Sequence, residues 1–311
     1  MLKNIAKKIL PQKTYNLLRM RPRFALLSGH LYSKVKYINS LSWKSDPDNR
    51  GDILSIVRKQ AHIIDKGLQS PKRTPGHSLE LSHYLKKNLE KINHEISPHT
   101  SQWATAIYNH HQSLQRGQLS ERDYSNFPFE NENSISYEKL LASIKERRTI
   151  RHFEEGETPT PKEIKRALTG SIWAPSSCNR QTIVNFFTCN DNLAKKCASF
   201  NKGATSISGT FAFISVCYDT RSYHLPQESL TGMIDASLGF QNSLLLFHSL
   251  GLGACVLNWS HADEHEEAEL REALEIPRHC QIAFNVIIGK PKNGAPIPGK
   301  KSAMEYMVEV K

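Results

Sequence analysis

The chain has 311 residues, 39% hydrophobic and 23% charged, with a net charge of +11. Those proportions suit a folded chain with its own core, and no apolar run reaches the roughly 18 residues that a membrane-spanning helix needs. All six cysteines (Cys178, Cys189, Cys197, Cys217, Cys255 and Cys280) lie in the second half without a CxxC pair, which argues against a zinc or iron–sulfur site and for a reducing compartment.

Residues 1–50 carry eleven lysines and arginines against two acids, Asp46 and Asp48, a net +9. Such asymmetry points to an anionic partner. No RNP motif, zinc finger or glycine-rich RNA-binding stretch accompanies it, so an anionic membrane surface is favoured over nucleic acid. The segment Met1–Phe24 mixes Leu2, Ile5, Ile9, Leu17 and Leu18 with basic residues, as an interfacial helix would, although Pro11 interrupts it. The N-terminus has no signal-peptide apolar region. The expected location is the cytoplasm, with peripheral membrane attachment as an addition.

Residues 1–125 read as an all-helical region. Ile53, Ile56, Val57, Ala61, Ile64 and Leu68 recur at three- and four-residue spacing, His77–Ile96 repeats the pattern, and Trp103, Ile107 and Tyr108 begin a further amphipathic segment. Within the first of these, His62 and Asp65 share one helical face and could pair, with Gly67 ending the helix. Residues 126–139, rich in Asn with Pro128 and acids, read as a linker.

Residues 140–311 read as a second domain. Tyr137–Lys145 predicts a helix leading into it, and Thr160-Pro161-Lys162-Glu163 is a strong helix start with an N-cap, an N1 proline and a capping-box glutamate. Ile183–Cys189, Phe211–Tyr218 and Gln281–Gly289 read as strands, Thr231–Leu250 as a long buried helix, and Glu264–Leu274 as an amphipathic helix. Strands alternating with helices imply α/β or α+β layering.

Four stretches in this half can carry chemistry. Arg147-Arg148-Thr149-Ile150-Arg151-His152-Phe153 gathers three guanidiniums, whose planar forks suit a phosphate. Ala174-Pro175-Ser176-Ser177-Cys178-Asn179-Arg180-Gln181 is a polar turn before a strand, with amides able to read a ring edge. Gly251-Leu252-Gly253 permits a tight helix exit and close backbone approach to a ligand, and runs on into Val256-Leu257-Asn258. Ile288-Gly289-Lys290-Pro291 precedes a loop that delivers Lys300 and Lys301. Each stretch alone has a structural explanation: a basic helix end, a turn, a helix C-cap or a soluble tail.

Taken in order, the four resemble the nitroreductase-like flavoprotein family. Arg147–Phe153 is similar to its RRSxRxF opening with Thr149 for Ser, Ala174–Gln181 to its APSxxNxQ turn, and Gln241–Gly253 to its QNLLLAAxxLGLG helix. Leu274-Glu275-Ile276-Pro277 with Ile287–Pro291 is similar to its closing LxIP…IGxP. His62–Leu68 resembles an HxxEKGL element found ahead of such domains in polysaccharide-biosynthesis loci, with Asp for Glu.

The resemblance implies an α+β nitroreductase-like sandwich, a mostly antiparallel sheet flanked by helices, that forms a homodimer with one FMN in each of two interface sites. Arg147, Arg148, Thr149 and Arg151 would hold the phosphate and pyrimidine side, Arg151 also favouring reduced flavin electrostatically. Asn179 would bond the ring edge with Gln181 nearby, Val256, Leu257 and Asn258 would line the face near N5, and Lys300 and Lys301 would complete the phosphate site. The family's usual residues after the glycines are replaced here by Val256-Leu257-Asn258, which leaves the N5 contact open. The expected activity is ping-pong hydride transfer from NADH or NADPH to a small organic acceptor, with no catalytic side chain and no metal, since the cofactor carries the chemistry. Dehydrogenation or dehalogenation on the same cofactor is a variant. The alternative is a non-enzymatic scaffold that keeps the fold and is recruited to a membrane by its basic N-terminus.

Overall fold

The computed structural model describes residues 31, 35, 37–38, 52–70, 74–118, 135–223, 225–259 and 262–310. The interfacial segment Met1–Phe24, most of the basic region 1–50 and residues 126–134 of the expected linker lie outside them.

Among the described residues the N-terminal half holds α1 (Ile53–Leu68), α2 (Leu79–Leu89) and α3 (Pro98–Gln115), with further helical residues at 31, 35 and 37–38. The apolar spacing of α1 becomes its buried face, where Val57, Ala61, Ile64 and Leu68 meet Leu85 and Leu89 of α2 and Ala104 and Ile107 of α3. Asp52 caps α1 by accepting from the Leu54 N–H. The second helix is shorter than the expected His77–Ile96 at both ends: the backbone at Ser78 turns left-handed, φ 55°, just before it, and beyond Glu90 the chain breaks into turns, with the Asn93 side chain accepting from the Glu95 N–H.

Helix α4 (Tyr137–Glu146) opens the C-terminal half from inside the stretch assigned to the linker, with Ser136 as its N-cap. Helix α5 (Pro161–Leu168) carries the expected capping box, Thr160 accepting from the Glu163 N–H and Glu163 from the Thr160 N–H. Four strands follow, β1 (Ile183–Thr188), β2 (Ala212–Asp219), β3 (Gly253–Asn258) and β4 (Cys280–Gly289), interleaved with α6 (Asp191–Ser199), α7 (Thr231–Ser249) and α8 (Glu264–Ala273). They form one antiparallel sheet in the order β1-β2-β4-β3.

Period-two alternation sends the two faces of β2 to different layers. Ala212, Ile214 and Val216 pack with Ile164 of α5 and Ala236, Phe240 and Phe247 of α7. Phe213 and Cys217 pack with Ala194 and Cys197 of α6 and Leu270 of α8. This is the expected sandwich. Two elements were not legible. Helix α6 hides behind an Asn190 cap in a stretch with little apolar periodicity, and β3 follows Gly251 so closely that its residues read as the end of a glycine turn. Strand β3 exists because β4 supplies its ladder, a tertiary cause that local pattern does not encode.

Candidate functional site

The first, third and fourth motifs meet at one edge of the sheet. The Ile150 N–H donates to the Ala254 carbonyl at 3.0 Å and the Phe153 N–H to Ser208 at 2.9 Å, so the arginine segment runs beside β3 as an extended ribbon. Gly253 permits that approach, since a Cβ there would lie 2.7 Å from the Ile150 side chain. Beside the ribbon is a cleft of about 400 Å³ lined by Arg147 and Arg148, with the acidic Glu146 beside them, by Leu244 and His248, and by Gly251–Ala254 and Pro291. Gly251 sits at φ 74°, the left-handed conformation of a helix C-terminus.

The remaining residues of that group are placed unevenly. The Arg148 guanidinium turns back to donate to the carbonyls of Lys145 and Arg147, capping α4 from the cleft wall. Thr149 is half-buried, and Arg151 is exposed beside Cys255, whose thiol is pushed up by burial and partly drawn back by that guanidinium. Alternation along β3 leaves Val256 46% exposed and Asn258 exposed, but turns Leu257 into the core with Ile150 and Ala194. Leu257 therefore offers only its backbone to a ligand. Lys300 and Lys301 are exposed in the tail beyond Pro291 and do not line the cleft.

The second motif stands at the other end of α7. Its turn is held in a strained shape, with Cys178, Asn179 and Gln181 at φ 51°, 53° and 53°. Arg180, 2% exposed, clamps it. Its guanidinium donates to Glu228 at 2.6 Å and to the Ser177 hydroxyl at 3.0 Å, and stacks over the Tyr223 ring. Its carbonyl accepts from the Ser55 hydroxyl at 2.9 Å and Arg58 Nε at 3.1 Å, so both halves of the chain grip one residue. The Ser177 N–H donates to both oxygens of Asp235, a buried carboxyl held above the usual carboxylate range by desolvation, with that N–H opposing the shift. The Asn179 and Gln181 amides bond each other at 2.9 Å.

Asp235 and His248 mark the two sites along α7. Thirteen residues at 1.5 Å rise separate them by about 20 Å. One chain therefore does not bring Asn179 and Gln181 to the arginine cleft. Sequence reasoning named the turn but not its clamp: Arg180, Glu228, Tyr223, Ser55 and Arg58 are scattered along the chain. Asp235 alone left a trace, as an acid inside an otherwise apolar helix. In α1, His62 lies beside the turn in a cleft it shares with Cys178, while the Asp65 carboxylate accepts from Gln69.

Comparison with known proteins bears on this half. Residues 144–219 match the Nitroreductase family model. A protein of Methanothermobacter thermautotrophicus, provisionally named NADH dehydrogenase/NAD(P)H nitroreductase, is 27% identical over 175 residues, 56% of this chain and 87% of its own. Among solved structures, a provisionally named NADH dehydrogenase/NAD(P)H nitroreductase from Parabacteroides distasonis aligns with a TM-score of 0.48 at 22% identity, covering 55% of this chain and 98% of its own. A provisionally named nitroreductase from Desulfovibrio desulfuricans, solved in complex with FMN, gives 0.46 at 24% identity over 55% and 96%. The family match and the relative's similarity both fall in the C-terminal half, and it is this half of the chain that is similar to nitroreductases.

Proposed function

We propose that this protein is an FMN-dependent oxidoreductase that passes reducing equivalents from NADH or NADPH to a small organic acceptor. The observation that carries this reading is the convergence of Arg147 and Arg148 with the Gly251–Ala254 backbone on one cleft. That donor set fits FMN: guanidiniums suit the phosphate, and side-chain-free backbone suits close approach. Bound there, the flavin would supply hydride transfer in two half-reactions, while the protein orients it and tunes its charge. Arg151 is the cation for the pyrimidine side and Thr149 adds a hydroxyl, while Lys300 and Lys301, outside the cleft lining, would have to swing in with the tail to meet the phosphate.

Asn179 and Gln181 complete the ring edge from a second copy of the chain, which accounts for their distance from the arginines. The exposed apolar stripe on α7, with Ile234, Leu238 and Leu246, continues onto Trp173, 83% exposed, and is the face for that homodimer. The likeness of His62–Leu68 to the HxxEKGL element is the support for a place in polysaccharide biosynthesis. The test is direct. The purified full-length chain is expected to be yellow, to carry one FMN per subunit and to bleach with NADH or NADPH under anaerobic conditions. A colourless protein that does not bind added FMN would leave the scaffold reading in its place.

A further inference from the structure

The HxxDKGL element that ends α1 has a physical role in this structure. A cleft of about 460 Å³ lies where α1 meets the strained turn, lined by His62, Lys66, Ser70, Thr74, His77 and Cys178. His62 and Lys66 are four residues apart on one helical face, and Gly67 completes that face. A Cβ at Gly67 would lie 1.9 Å from His77 Nε2, so glycine is what admits the imidazole against the helix. The loop that delivers His77 is pinned to α3, the His77 carbonyl bonding the His111 ring at 2.6 Å and the Gly76 N–H donating to Gln115 at 2.6 Å. On the opposite wall Arg180, bonded to Ser55 and Arg58, holds Cys178 against α1.

The described lining contains three nitrogen bases and two hydroxyls but no carboxylate. Glu228 is paired with Arg180, and the Asp65 carboxylate accepts from Gln69 and is not among the residues that line the cleft. Lys59 adds a further positive charge close to Cys178 and Arg180; burial first, and then Arg180, hold its ammonium below the usual lysine range. A concave site with donors on every side and no acidic wall selects an anion.

We propose that this cleft binds the anionic group, a carboxylate or phosphate, of the electron acceptor. Its reacting part would then extend past Cys178 to the ring edge held by Asn179 and Gln181. The proposal rests on the flavin reading for that second half alone. The helical region is thus a specificity module whose own residues choose acidic acceptors over neutral ones.

Two probes of one shape separate charge from size: 4-nitrobenzoate and 4-nitrobenzamide. Binding to the full-length protein is read by calorimetry, which needs no turnover, and reduction of each probe is read separately. The wild type is expected to prefer the anion at least tenfold. Lys66→Glu should abolish that preference, His77→Gln should reduce it several-fold, and Lys66→Arg should keep it, with thermal melts confirming that each variant is folded. Equal affinity of wild type for the two probes, or a preference unchanged in folded Lys66→Glu, overturns the cleft. Absence of FMN overturns the flavin reading instead, and the calorimetric preference still decides the cleft.

Discussion

The two ends of α7 solve opposite problems. At its C-terminal end Arg147, Arg148 and Arg151 present guanidiniums from short connections, half-buried or exposed. At its N-terminal end Arg180 is buried, ion-paired, stacked and bonded through its carbonyl to another part of the chain. The same side chain is a half-buried or exposed cation in one place and an architectural bolt in the other. Burial makes the difference: the Arg180 guanidinium is sealed against Glu228, Ser177 and Tyr223, out of reach of a ligand, whereas Arg147 stands half-buried at a cleft wall, where a planar fork can meet an anion.

That contrast can be broken experimentally, most sharply at the bolt. Arg180→Ala leaves Glu228 without its cation and Tyr223 without its cover, and loss of one partner of a buried pair costs about 3–5 kcal/mol. Thermal unfolding is expected to drop by roughly 10 °C for a domain of this size. Arg180→Lys recovers only part, because a single ammonium cannot reproduce the fork. A melt within 2 °C of wild type would show that the turn does not depend on its clamp.

At the cleft the expected loss is of ligand, not of fold. Arg147→Ala combined with Arg151→Ala should melt within a few degrees of wild type yet lose its flavin spectrum, since charge-assisted hydrogen bonds contribute roughly 1.5–3 kcal/mol each. Retention of stoichiometric FMN would remove these arginines from the site. Leu238→Glu on the exposed stripe is the next test: if the proposed dimer forms through it, the monomer should gain in sedimentation, and flavin should weaken with it under the proposal that the ring edge comes from a second copy. Flavin affinity unchanged in a monomeric variant would place Asn179 outside the site.

The smallest effect concerns α5, which serves neither end. Thr160→Ala removes the N-cap at a cost of about 1 kcal/mol. The Glu163 carboxyl is held below its ordinary value, first by the Thr160 hydroxyl and then by the Thr160 N–H. Its contribution is therefore present above the usual carboxylate range and lost as pH falls through the depressed value. The stability gap between wild type and Glu163→Gln should accordingly shrink on acidification, and a gap that stays constant from neutral pH to pH 3 would contradict the cap.

Legibility followed the range of the interaction. The capping box of α5, the buried face of α1 and the left-handed exit at Gly251 are local, and the residues that make them are adjacent or one turn apart. The motif residues of the site were legible as types in order. Their division between two ends of a helix was not, because chain order says nothing about which end of α7 each segment meets. Leu257 was read as facing a ligand, but as β3 was not recognised, the alternation that buries it went unseen. The gripping of Arg180 by Ser55 and Arg58 spans more than 120 positions of chain and leaves no periodic trace.

Apolar period, capping residues and glycine placement were enough by themselves to determine the buried face of α1, the start of α5 and the alternation of strands and helices that follows, since each depends on neighbours within a turn or a strand. The tertiary structure alone decided which cations stay available and which become anchors, and it alone made a cleft from His62, His77 and Cys178. Desolvation and hydrogen-bond saturation depend on what packs around a group, and that is set by contacts between residues far apart in the chain.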